Sequence, residues 1–201
     1  MKFSKIARLA KRTKTAILMD DEDGMQWLSV GGSAYKLDGM PPLDADTVLT
    51  VMGISDDARD KWYAADRGDA DTDLLKNDTE DEEEITAEDA GITVIFDGKL
   101  LMPIYTMDGL LWIDVELLAP TEKKEMGYRR FYIRERNGAR MIAVKEGMIL
   151  TAVIMECKVE DTDLADALKI LVERCRAEEL RKISLKMEPE GTVEGYDPEE
   201  K

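Results

Sequence analysis

Asp78-Thr79-Glu80-Asp81-Glu82-Glu83-Glu84 is the heart of a run from Asp66 to Asp89 in which most polar residues are Asp or Glu. Like charges at adjacent positions repel, and the few apolar residues among them offset little of the entropy of ordering the chain. The run therefore reads as a solvated linker or long loop, and it divides the 201 residues into two parts. The expectation is an α+β protein with antiparallel sheets in two halves, amphipathic helices between and after them, and a disordered acidic insert. The divisions fall at 1–65 (basic helix, β-hairpin and helices), 66–90 (acidic linker or long loop), 91–187 (antiparallel β unit with a C-terminal helix) and 188–201 (disordered acidic tail).

On the N-terminal side, Phe3, Ile6 and Leu9 recur every third position between basic residues, which predicts an amphipathic helix over 1–12. Its two readings are a surface helix docking one stripe on the core and a helix that faces phosphates or a membrane surface. Thr15 to Met19 and Met25 to Val30 read as strands around an acidic turn ending in Asp23-Gly24. That turn reads as turn chemistry rather than a metal site. Gly31-Gly32 breaks the second strand, and Ala34 to Leu37 reads as a third. No Walker lysine follows Gly31-Gly32-Ser33, so a phosphate cradle is disfavoured. Asp44 or Asp46 caps a helix holding Val48, Leu49, Val51 and Met52. A second helix is expected from about Asp56 to Ala65, with Trp62 as a core anchor.

On the C-terminal side, Ile92 to Phe96, Lys99 to Tyr105 and Leu110 to Leu118 read as strands, with Pro103 marking an edge or bulge. Asn137-Gly138 joins Arg130–Arg136 to Ala139–Val144 as a hairpin, and Met148 to Cys157 reads as a strand buried on both faces. Over 162–182, Leu164, Leu168, Leu171, Val172 and Cys175 define the apolar stripe of a long helix, with Cys175 expected to be buried.

Composition narrows the chemistry. Histidine is absent, which removes Ser-His and Cys-His nucleophiles and every His-ligated metal site. The two cysteines, Cys157 and Cys175, make neither a disulfide framework nor a four-cysteine zinc site. No signal peptide and no apolar run long enough for a membrane helix is read, so the expectation is a cytoplasmic protein. The missing catalytic residues give the expectation that it is not an enzyme. The net charge of −16 opposes general attraction to phosphates or anionic lipid. Against that background Lys2, Lys5, Arg8, Lys11, Arg12 and Lys14 crowd into the first 14 residues without one acid. Lys5, Arg8, Lys11 and Arg12 are the candidate nucleic-acid contacts.

One constellation suits a metal. Asp69, Asp71, Asp73, Asn77 and Glu80 stand at positions 1, 3, 5, 9 and 12 of a calcium loop, although Leu74 occupies the sixth position, where Gly would serve the sharp turn. Calcium is the one cofactor considered, and the competing reading is a solvated linker. Arg129, Arg130, Arg134, Arg136 and Arg140, with Tyr128, Phe131 and Tyr132 nearby, read first as a charged edge hairpin and second as an anion or single-strand surface.

An internal echo links Ile17 to Ile54 with Tyr132 to Leu171: hairpin strands, a glycine break, another strand and a helix. Trp27 through Tyr35-Lys36-Leu37 before Met40-Pro41, with Tyr132-Ile133-Arg134 through Met155, resembles the small acidic proteins encoded by phages and prophages of Gram-positive bacteria, most of them uncharacterised. The echo, the acidic balance and the basic helix are also similar to DNA sliding clamps. That resemblance implies duplicated strand-and-helix units, several copies in a ring and basic helices toward DNA. The function expected is a non-enzymatic accessory protein acting through protein contacts or self-association. The alternatives are a clamp-like processivity factor and a carboxylate-dependent metal-binding protein.

Overall fold

The computed structural model describes residues 2–69, 74–77, 84–107, 109–121, 129–136, 138–159 and 162–187. It divides into two units, Met1–Lys158 and Val159–Lys201. The fold is α+β, with helices and one large mixed sheet.

The first unit opens with α1 (Phe3–Thr13), which buries Ile6, Leu9 and Ala10 as the three-residue spacing of its apolar positions dictates. Strands β1 (Thr15–Asp20), β2 (Gln26–Val30) and β3 (Ser33–Lys36) form an antiparallel meander. Asp21 fixes the first turn. Its Oδ1 accepts from the Asp23 and Met25 amides, and its Oδ2 accepts from Trp27 Nε1 at 2.9 Å. The second turn needs glycine, since Gly31 and Gly32 have φ of 59° and 83°, and a Cβ on Gly31 would stand 2.9 Å from Thr13 Cγ2. The strand-break reading of this pair holds.

Helix α2 (Ala45–Val51) is capped by Asp44, whose side chain accepts from the Thr47 amide at 2.7 Å. The next helix, α3 (Asp56–Arg59), is a single turn. The helix expected to reach Ala65 stops there, and Tyr63 instead opens β4 (Tyr63–Asp69), which pairs parallel to β1. Tyr63 and Ala64 sit opposite Thr15 and Ala16, so the ladder with β1 replaces further helix. Trp62 packs half-buried against the core.

The remaining strands are β5 (Ile85–Asp89), β6 (Val94–Phe96), β7 (Lys99–Thr106), β8 (Gly109–Asp114), β9 (Arg129–Arg136), β10 (Ala139–Glu146) and β11 (Ile149–Met155). Their order is β4-β1-β2-β3-β11-β10-β9-β5-β7-β6, with β8 on β7. The two-part reading is corrected at the centre of this order. Strand β3 pairs with β11 through Tyr35 opposite Ala152 and Ala34 opposite Val153, so one sheet runs through both halves.

Strand β5 lies inside the stretch read as linker, and it turns the corner of the sheet. Its Ile85, Thr86 and Ala87 pair with β9, and its Glu88 and Asp89 pair with β7. A strand that changes partners this way lets one sheet fold over another. The fold-over is complete enough that the Cys157 amide donates to the Trp112 carbonyl of β8 at 2.8 Å. Ile104, Leu111 and Ile113 of one layer thus share a core with Leu28, Tyr35, Ile142, Val144 and Ile154 of the other, and with Val48 and Leu49 of α2.

Pro103 fits this arrangement. Leu101 pairs with β6 and Ile104 with β5 on the same edge of β7, leaving a gap between those strands. The Pro103 carbonyl accepts from the Ala90 amide at 3.2 Å on that side, so the donor it lacks also faces the gap. The strand expected to run to Leu118 ends at Asp114, which caps the short helix α4 (Val115–Leu118) by accepting from the Glu116 amide. The hairpin β9–β10 is interior, since β9 also pairs with β5 and β10 with β11.

The two stretches of the echo each contribute to a three-stranded antiparallel meander, β1-β2-β3 and β9-β10-β11, whose outer neighbours differ. Beyond them the echo breaks, because β1 takes a parallel neighbour and β9 an antiparallel one. In the second unit, α5 (Thr162–Met187) is one continuous helix. Cys175 is exposed there, against expectation, and Leu171, one turn earlier on the same side, is half exposed. The 188–201 tail lies outside the described residues.

Candidate functional site

Three places carry concentrated chemistry. The first is a largely buried ionic cluster on the sheet. Arg134 of β9 has a side chain only 2% exposed. Its Nε donates to Glu84 Oε1 at 3.0 Å, Nη1 to the Leu74 carbonyl at 2.6 Å and Nη2 to the Asn77 carbonyl at 3.3 Å. Nη2 also reaches Glu84 Oε1. Lys145 Nζ meets the other Glu84 oxygen at 2.5 Å and lies 4.9 Å from the centre of the Tyr132 ring. Asn77 Oδ1 accepts from the Leu150 amide at 2.8 Å. Leu75, 6% exposed, packs with Trp27, Ala34, Ala143, Leu150 and Val153. Residues 74–77 are therefore docked on the sheet by a fork of hydrogen bonds and one apolar plug. A buried guanidinium needs this saturation, because an unpaired charge there is costly.

This arrangement bears on the calcium loop. Asp71, Asp73 and Glu80 lie outside the described residues, and Asp69 ends β4 opposite Asp20. Asn77, the ninth-position ligand, spends its side-chain oxygen on Leu150 and its carbonyl on Arg134. Among the described residues no three acidic or cysteine side chains converge to hold a metal.

The second place is a cleft of about 380 Å³ where Arg12 and Thr13 of α1 meet Gly31, Lys99, Asp114 and the segment Met155–Cys157. Its carboxylates are engaged. Asp114 caps α4 and lies 3.7 Å from Arg12, which also pairs with Glu116. Glu156 takes Arg140 in a two-pronged pair at 3.0 and 2.9 Å. Beneath the cleft, the Tyr35 hydroxyl donates to the Leu117 carbonyl at 2.8 Å. Burial, with the Asp114 charge adding, pushes its pKa well above the ordinary value, so it stays a protonated donor. The cleft therefore presents arginine-paired carboxylates above a phenol that is protonated at neutral pH.

The third place is the β6–β7 hairpin. Ile95 and Leu100 stand directly opposite each other and are 79% and 40% exposed. They share the face of β7 that carries Met102 and Ile104 into the core, so the hairpin outruns the layer that covers those residues. Strand β6 pairs with β7 alone among the described strands, leaving its outer edge open.

Of the predicted nucleic-acid contacts, Arg8 and Lys11 are exposed on α1 and Lys5 is half-buried. Arg12 is drawn aside to Asp114 and Glu116. The arginines around β9–β10 do not form one surface: Arg134 is buried, Arg140 is paired, and Arg129 lies 5.2 Å from the centre of the Phe131 ring. Sequence reasoning missed Glu84, Lys145, Asp114 and the cleft. The signal for Glu84 was there, since it is the last acid before an alternating stretch, but its partners lie 50 and 61 positions away.

No helix among the described residues is long and apolar enough to cross a membrane. Comparison with protein-family models, curated proteins and solved structures finds no match.

Proposed function

We propose that the chain is a non-enzymatic accessory protein that works by binding another protein, of the phage-encoded kind its sequence resembles. The observation that carries this reading is the β6–β7 hairpin. An edge strand offers unpaired amide and carbonyl groups to a further strand, and soluble proteins usually guard such edges with charge or proline. The stretch Ile92-Thr93-Val94-Ile95-Phe96 has neither. The opposite edge does, since β4 carries Asp66, Arg67 and Asp69. An extended segment that added to β6 would lay its side chains beside Ile95 and gain main-chain hydrogen bonds at once. The engaged carboxylates of the cleft and the absence of histidine support binding over catalysis.

The test is a pull-down from host lysate with the protein and its Ile95→Lys variant, alongside size-exclusion chromatography with light scattering. A defined partner, or self-association, that is lost in the variant is the expected result. A strict monomer that captures nothing, or capture indifferent to Ile95→Lys, would defeat the reading.

A further inference from the structure

We propose that α1 binds the phosphate backbone of nucleic acid through Lys5, Arg8 and Lys11. This goes beyond the protein-binding edge and stands on a different part of the molecule. The first observation is charge that the fold leaves unanswered. In a chain with 44 acidic residues, Arg12 is the α1 cation that finds carboxylates, whereas Lys5, Arg8, Lys11 and the capping Lys14 have no ion-pair partner among the described residues. Cations scattered over so acidic a surface would be expected to pair. Here they line one helix and, among the described residues, stay open.

The second observation is that the cations at the amino end of α1, Lys2 and Lys5, work against their own helix. The amino end of a helix favours acid and a side-chain cap. Helix α1 has Lys2 at its cap position with no side-chain hydrogen bond, no acid in its first turn, and Lys5 in that turn. Only Lys11 and Arg12 stand at the end where cations help. A local rule broken at a cost, without a structural return, is the mark of a residue kept for function.

The third observation selects the partner. A helix that lies on a membrane must offer its apolar face to lipid. The apolar face of α1 is already spent, with Ile6, Leu9 and Ala10 each no more than 3% exposed in the core. What remains outward is cationic and hydrophilic, which suits a polymer of phosphates. Steps of three residues place Lys5, Arg8 and Lys11 about 4.5 Å apart along the axis, close enough to follow one strand of phosphates. Lys11 also borders Gly53, a residue with no side chain to screen it. The overall −16 does not forbid the contact, because charges beyond about 8 Å are largely screened at physiological salt.

The experiment is fluorescence anisotropy of the full chain with a labelled duplex and a labelled oligo-dT of about 20 nucleotides, across a salt series. Phosphatidylserine vesicles serve as the competing anion surface. The expected result is salt-sensitive binding to at least one nucleic acid. It should weaken at least about tenfold in Arg8→Glu with Lys11→Glu, and the logarithmic salt slope should fall by about one for each cation removed. The pair Arg8→Gln with Lys11→Gln should lose less affinity but the same slope. Circular dichroism should show both variants folded, because Arg8 and Lys11 are exposed. Absence of binding at low salt, binding indifferent to these substitutions, or equal binding to the vesicles would overturn the proposal.

Discussion

Arg134 holds together a buried network of charge and carbonyl groups. Its removal leaves Glu84 facing Lys145 alone and two carbonyls, of Leu74 and Asn77, without their donor. Arg134→Ala should therefore cost about 3–5 kcal/mol in urea unfolding, the usual penalty for breaking a buried pair from one side. Glu84→Gln should cost no less, because it takes the shared carboxylate away from two buried cations, Arg134 and Lys145. Tyr35 gives the pH counterpart. Its folded-state pKa is raised by burial, so its contribution is fully present below the ordinary value of 10.0. Above that pH the unfolded chain ionises first, and stability falls as the solution becomes more alkaline. Tyr35→Phe should lose about 1 kcal/mol at neutral pH with its bond to Leu117 and show a shallower alkaline decline. The denaturant midpoint measured from pH 7 to 11 checks both statements. Residues of this kind are poorly legible in sequence. Arg134 is one of five arginines around a hairpin, and nothing local distinguishes it from Arg130 or Arg136.

Among elements, the two informative ones are β5 and the docked segment 74–77. Both fall where charge density argued for solvated chain. The argument from repulsion is sound for a run of acids taken alone, but it omits what opposing cations and an apolar surface supply. Leu75 enters a pocket of Trp27, Ala143, Leu150 and Val153 that no local pattern announces. Leu75→Ala should destabilise the protein by about 2–5 kcal/mol, measured by urea unfolding. A value near zero would mean the segment contributes nothing to the fold. Helix α2 shows the opposite situation, an element whose local rules sufficed. Asp44 was readable as one of two candidate caps, with Asp46, and its pKa is lowered by the side-chain bond to Thr47. Its contribution is present above the ordinary 3.8 and is lost as pH falls through the depressed value. Asp44→Asn should keep α2 capped and remove that acid sensitivity, as thermal melts between pH 3 and 6 will show.

Across the whole first unit, the pairing of β3 with β11 makes one hydrogen-bonded sheet of stretches that charge patterning assigned to separate lobes. Trp27 lies in the first stretch and Trp112 in the second, both buried. In the Trp62→Phe protein, fluorescence of the two remaining tryptophans and far-UV circular dichroism should trace one transition at the same denaturant concentration. Two separated midpoints would mean that the shared sheet does not couple the stretches.

The chain by itself determined its α+β class, helix α1 with its docking stripe, the turns at Gly24 and Gly31-Gly32, a cap at Asp44 or Asp46 and most strands of the two meanders. Each of these follows from interactions a few residues apart, where periodicity and backbone sterics decide. Only the tertiary structure decided that β3 meets β11, that Glu84 turns inward between Arg134 and Lys145, that Arg12 leaves the basic face for Asp114, and that Ile95 and Leu100 stay uncovered. Those outcomes depend on which distant groups share a low-dielectric contact. Neighbours in sequence carry no record of that choice.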